Sequence, residues 1–160
     1  MDISIRPALA TDELFMVEML VAAAFWRPDG PSGLAQEVLQ TPALAHYISG
    51  WPQHGDLGVI AQTDQPVGAA WLRFFTDSDP GYGFIETAIP EVYMGVVPVW
   101  RGRGVGRRLL NALVSAARDA DIPALSLSVE TDNHARRLYE EAGFQTDSEM
   151  NGAATMRLQL

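Results

Sequence analysis

The sequence predicts an α/β protein of the mixed (α+β) kind, with one central sheet of about seven strands and helices on both faces. Three observations carry this. The pattern along the chain reads β-α-α-α-β-β-β-α-β-α-β-β. Two strand–helix units in the second half set neighbouring strands parallel, while turn signals at 63–66 and 151–152 call for antiparallel hairpins on either side. A length of 160 residues suits a single domain, 1–160. Such a domain buries roughly two thirds of its unfolded surface and needs no metal or disulfide staple.

Residues 4–6 alternate apolar and polar and read as a short first strand. Thr11 is a candidate N-cap for a helix over 12–24, with Leu14, Val17, Met19, Leu20 and Ala24 as its apolar stock. Residues 27–33 form a turn-rich loop, and a short helix over 34–39 follows. Thr41 and Pro42 supply an N-cap and N1 proline to a helix over 42–48. Strands over 57–62 and 67–75 pair through the turn Thr63-Asp64-Gln65-Pro66, and 76–83 is a loop. Residues 91–97 are apolar and read as a central strand. The strongest helix covers 104–120: Val105, Leu109, Ala112, Leu113 and Ala116 share one face, opposite Arg107, Asn111, Ser115 and Arg118. A short buried strand over 125–129 leads to a helix over 133–142, stopped by Gly143. Strands over 144–149 and 155–159 close the chain through Asn151-Gly152.

Composition narrows the chemistry. There is no cysteine, which removes disulfides, cysteine nucleophiles and Cys-based zinc sites and fits a cytoplasmic location. There is no lysine either, so a Schiff-base lysine and a P-loop are excluded. The N-terminus lacks the apolar core of a signal peptide, and no apolar run reaches membrane-spanning length. His46, His54 and His134 lack ligand spacing, so no metal is expected and all three read as non-catalytic. The net charge of −9 divides as −8 over 1–90 and −1 over 91–160. An acidic chain is a poor nucleic-acid binder. Yet 100–108 holds four arginines and no acid, a local knot suited to a small phosphorylated ligand or simply a solvated cluster.

That knot lies in a strand–loop–helix. A proline, Pro98, ends the strand, and Arg101-Gly102-Arg103-Gly104-Val105-Gly106-Arg107-Arg108 opens the long helix. Helix-start N–H groups have no internal partner, the dipole favours an anion there, and glycines permit close approach. Arginine adds bidentate phosphate contacts. The stretch therefore reads as a pyrophosphate cradle, with an unliganded Gly-rich turn as the bland alternative. A Rossmann fingerprint would need a third glycine where the chain has Arg107 or Leu109. Glu130 nonetheless ends the next strand, where a ribose-binding acid would sit, so a dinucleotide-binding domain stays open.

Arg101-x-x-Gly104-x-Gly106 resembles the acyl-CoA signature of the GNAT superfamily of N-acetyltransferases. Asn133-x-x-Arg136-x-Leu138-Tyr139 followed by Gly143-Phe144 resembles that family's second signature. The likeness is good over 91–144 and fades over 1–90, which would build the acceptor side. It implies a GNAT-like fold in which strand 91–97 splays from strand 125–129 and the pantetheine of acetyl-CoA lies in the gap. Met94, Gly95 and Val96 would pair with the arm through their backbone, Gly102 to Arg107 would hold the pyrophosphate, and Asn133 would bond the arm or its surroundings or merely cap the helix. A backbone N–H near Val96 would polarise the thioester carbonyl. Tyr139 is placed as the acid that protonates the leaving thiolate, with core packing as its alternative role. Glu91 is placed as the base, one residue from the family's usual register, with Glu86 and water as rivals and a plain strand-edge charge as its alternative role. The implied activity is acetyl transfer from acetyl-CoA to a small-molecule or peptide amine by direct attack in a ternary complex, the acidic first half favouring a cationic acceptor. An acyl-CoA-binding module without turnover stays open, as does a homodimer. Trp26, Trp51, Trp71, Phe74, Phe75 and Tyr82 would line an apolar pocket or pack the core.

Overall fold

Seven strands form one sheet in the computed structural model, which describes residues 2–28, 30 and 33–160. They are β1 (Ser4–Pro7), β2 (Leu57–Gln62), β3 (Pro66–Arg73), β4 (Glu91–Val96), β5 (Ala124–Glu130), β6 (Gln145–Met150) and β7 (Ala153–Gln159), in the spatial order β1-β2-β3-β4-β5-β7-β6. Every neighbouring pair is antiparallel except β4 with β5. A dinucleotide fold needs an open, mostly parallel sheet, so this topology removes that alternative. Asn151 and Gly152 both take positive φ (54° and 79°), the backbone that a two-residue hairpin demands, and they join β6 to β7 as expected.

The sheet separates two cores because successive strand residues face opposite sides. On one side Val59, Ala61, Ala70, Leu72 and Val92 pack with α4 (Val105–Asp119) and Tyr139 of α5 (Ala135–Glu141). On the other, Ile60, Ala69 and Trp71 pack under α1 (Glu13–Ala24), with Val38 of α2 (Ala35–Leu39) and Tyr47 and Ile48 just beyond α3 (Pro42–Ala45). None of the described helices is long and apolar enough to cross a membrane.

Several elements depart from expectation. Thr11 does not cap α1. A 3-10 turn, Ala10–Asp12, precedes the helix, and the Asp12 carboxylate accepts the Leu9 N–H at 2.7 Å and both arms of Arg6 at 2.8 Å. Leu14 is exposed, while Met16, Val17, Met19 and Leu20 are buried. Apolar residues surround this helix, so periodicity could not select its face. Thr41 turns its hydroxyl back to the Glu37 carbonyl at 2.8 Å, and the α3 helix stops at Ala45 rather than at 48. On α4 the buried stripe adds Leu110, Val114 and Ala117 to the expected Val105, Leu109 and Leu113. In the loop expected over 27–33, Asp29, Pro31 and Ser32 lie outside the described residues.

Candidate active site

The site begins where β4 and β5 part. They pair at one position, Glu91 with Ser126, supported by the Ser126 N–H donating to the Pro90 carbonyl at 3.0 Å. Beyond it β4 stays paired with β3 through Val96, and β5 stays paired with β7 through Glu130. The gap between them is a cleft of about 1160 Å³. Met94, Gly95 and Val96 line it from β4, and Ser128, Val129 and Glu130 from β5. Gly95 has a packing reason as well: a side chain there would fall on the Met19 carbonyl of α1.

At one end of the cleft stands the start of α4. Gly102 and Gly104 sit at φ +74° and +82°, a region that side chains strain, and an added Cβ at either would meet nothing within 4 Å. Glycine is required at these positions by backbone shape, and the space above them is open. Gly104 is the helix N-cap, and the first turn carries no acid. The leading N–H groups of the helix therefore start from an open end whose own first turn holds no acid, as suits an anion site. Arg101, Gly102, Gly104, Val105, Gly106 and Arg107 all line the cleft. Arg101 donates to the Ala22 carbonyl at 3.1 Å, and Arg107 pairs with Glu141 at 2.6 Å in an exposed contact. Arg103 is not among the lining residues and lies over the Trp100 ring at 5.1 Å. Asn133 lines the cleft, but its Oδ1 accepts the Ala135 N–H at 2.9 Å, so it does shape the entry to α5.

At the other end lies Glu91, which is 3% exposed. Its Oε1 accepts the Tyr47 hydroxyl at 2.6 Å and the Gly83 N–H at 2.8 Å, while Oε2 is buried without a partner. Burial pushes this carboxyl up to about 7, against the lowering pull of those two hydrogen bonds. Burial also raises the Tyr47 and Tyr93 hydroxyls, and it pushes Tyr139 up to about 12. Tyr139 is buried on the α5 side, edge-on to Phe144, yet lines the same cleft. Glu86 is exposed and does not line it.

Sequence reasoning missed Tyr47 and the backbone of Tyr82 and Gly83. Tyr47 is 44 positions from Glu91, and no local pattern announces such a contact. Of the six aromatic candidates, Trp26 and Tyr82 line the cleft, whereas Trp51, Trp71 and Phe75 are core. Phe74 is half exposed beside a separate hollow of about 450 Å³. Arg27 pairs with Glu130, which lines the cleft, at 2.5 Å and with Asp132 at 2.7 Å, so the acid at the end of β5 is already engaged. His46 pairs with Asp79 at 2.9 Å. Among the described residues no group of three or more His, Asp or Glu could hold a metal.

Comparison with known proteins places this arrangement. The model of the Acetyltransferase (GNAT) family matches residues 14–144. Mycothiol acetyltransferase of Nocardiopsis dassonvillei is 44% identical over 90 residues, which cover 54% of this chain and 27% of that protein. The chain thus spans only about a quarter of that relative. The uncharacterized N-acetyltransferase YycN of Bacillus subtilis is 32% identical over 129 residues, covering 80% of this chain and 78% of its own. The structure of yncA from Salmonella typhimurium, solved with its cofactor acetyl-CoA, superposes with a TM-score of 0.71 at 21% identity, covering 100% of this chain and 95% of that one. With its splayed β4 and β5, its glycine-opened α4 and a family match across most of its length, this chain belongs to the GNAT acetyltransferase family.

Proposed function

We propose that this protein transfers an acetyl group from acetyl-CoA to an amine by direct attack in a ternary complex. The observation that carries the proposal is one cleft with an anion-ready helix start at one end and a buried, half-satisfied carboxylate at the other. The open space above Gly102 and Gly104 and the free edge of β4 fit a cofactor with a pyrophosphate and an amide-bearing arm. Gly102 to Arg107 would hold the pyrophosphate, with Arg103 at its outer margin. The backbone of Met94, Gly95 and Val96 would bond the arm. When bound, the cofactor supplies an acetyl group activated as a thioester.

The protein's own groups account for the proton traffic. Glu91 is the base. A carboxyl near 7 is half ionised at neutral pH and basic enough to take a proton from an ammonium on its way to attack. A backbone N–H near Val96 would polarise the thioester carbonyl and stabilise the developing oxyanion. Tyr139 keeps its hydroxyl proton at neutral pH and presents it to the leaving sulfur. The net charge of −8 over residues 1–90, the acceptor side, favours a cationic amine, whether a small molecule or a peptide.

Calorimetric titration with acetyl-CoA, followed by a thiol-release screen over amines, tests this reading. Binding together with turnover of one amine class supports it. Tight binding with no turnover on any amine points to a binding module instead, and no binding at millimolar acetyl-CoA ends it.

A further inference from the structure

The Tyr47 hydroxyl is held from two sides. It accepts the Tyr82 N–H at 2.8 Å, which directs its single proton the other way, onto Glu91 Oε1 at 2.6 Å. The same oxygen accepts the Gly83 N–H at 2.8 Å. Tyr47 is 1% exposed, its carbonyl accepts the Trp71 indole N–H at 2.9 Å, and its ring packs on Phe75 and Tyr93 at 5.1 and 4.9 Å. It has little freedom to turn away. Glu91 Oε2 has no partner among the described residues and lies against Gly81, where any side chain would overlap it.

We infer that Tyr47 is a positioning residue for Glu91: with the Gly83 N–H it commits Oε1 to structural hydrogen bonds, leaving Oε2, beneath Gly81, as the atom that takes the proton. The inference rests on Glu91 being the base. The surroundings support this division of labour, since among the described residues no cation competes for the carboxylate. Arg73 stands opposite Glu91 on β3, but its guanidinium is spent on Asp56 and on the His46 and Ser49 carbonyls. His46, packed on the Tyr47 ring, is engaged with Asp79. Tyr93 on β4 and Tyr82 above are the remaining titratable neighbours, and Ser126 on β5 is uncharged. Among the described residues Tyr47 is therefore the one side chain that stabilises the ionised form of Glu91, and removing its hydroxyl makes that carboxyl harder to ionise.

The test needs no knowledge of the acceptor. Protein labelled with carboxyl-13C glutamate is titrated by NMR, with Glu91→Gln identifying the Glu91 resonance. In Tyr47→Phe the midpoint should rise by about one pH unit or more, while acetyl-CoA affinity stays unchanged. Incorporating 3-fluorotyrosine at position 47, a stronger donor of nearly the same shape, should move it the opposite way. A structural tyrosine would produce neither shift. An unmoved midpoint in Tyr47→Phe overturns the inference. Should that variant fail to fold, an unmoved midpoint in the fluorotyrosine protein overturns it equally. The underlying reading fails separately: full turnover by Glu91→Gln would unseat the base while leaving the effect of Tyr47 on the carboxyl intact.

Discussion

The two ends of the cleft hold charge in opposite ways. The α4 end is made of backbone. Its donors are the N–H groups of one short stretch, its glycines are set by positive φ, and its arginines are solvated or lightly paired. The Glu91 end is assembled from distant segments, a side chain and a backbone N–H meeting on one carboxylate. Tyr47, Gly83 and Glu91 converge in a buried pocket that desolvates the carboxyl. The first arrangement is suited to an anion and would need little reorganisation to hold one. The second maintains a reactive protonation state at some expense in stability. Ligand affinity should therefore depend on backbone shape at one end, and proton transfer on burial at the other.

The largest test of that contrast removes a support of the buried end. Asp56 and Arg73 form a salt bridge at 2.7 Å with both side chains nearly inaccessible. Asp56→Ala leaves a buried guanidinium unpaired and should destabilise the protein by about 3–5 kcal/mol in denaturant unfolding. A loss under about 1 kcal/mol would mean the acceptor side is far less dependent on side chains than argued.

At the other end, Gly104→Val should weaken acetyl-CoA binding by about 10²-fold or more, because a branched side chain is strained at this φ and projects into the open approach. Affinity equal to wild type in calorimetry would show that the cradle is misplaced.

Glu91→Gln should lower turnover by about 10²-fold with acetyl-CoA affinity nearly unchanged. The base acts when ionised, so wild-type kcat/KM should rise with pH through about 7, and the variant should lose that step. The stability sign is the reverse. Because burial holds the folded carboxyl above its ordinary value of 4.5, its contribution is fully present below about 4.5 and is lost as pH rises through about 7. Glu91→Gln should thus melt higher than wild type at pH 8 and lose most of that advantage at pH 5. A variant that is no more stable at pH 8 would argue against a desolvated carboxylate.

Tyr139→Phe should have the smallest effect, a loss of about 10- to 10²-fold in turnover with melting temperature unchanged. Burial makes this hydroxyl a weaker acid than ordinary tyrosine, which limits what the proton can contribute. Unchanged turnover would leave Tyr139 as a packing residue against Phe144.

The same contrast explains what could be read in advance. The cradle is local: spacing at 101, 104 and 106, a proline stop and a helix start are all visible within a dozen residues, and the order of elements along the chain follows from turn signals and periodicity. The surroundings of Glu91 are not local. Nothing near Tyr47 or Gly83 in sequence indicates that both end on one oxygen, and that convergence exists only after β3 and β4 pair and the 76–90 connection folds over them. The buried face of α1 and the role of Asp12 were hidden for a related reason. An all-round apolar helix gives no stripe, and the salt bridge from Arg6 to Asp12 overrides the capping preference of Thr11.

The single rung between β4 and β5 has a mechanical consequence. The sheet amounts to a leaf of four strands and a leaf of three, joined in the ladder only at Glu91 and Ser126. Amide protons of β4 that point toward β5 lack a carbonyl across the gap, so they should exchange with deuterated water faster than those pointing toward β3. An extended ligand arm in the gap would finish the interrupted ladder and slow that exchange selectively. The hydrogen-exchange profile of this one strand would then show when the two leaves have been bridged.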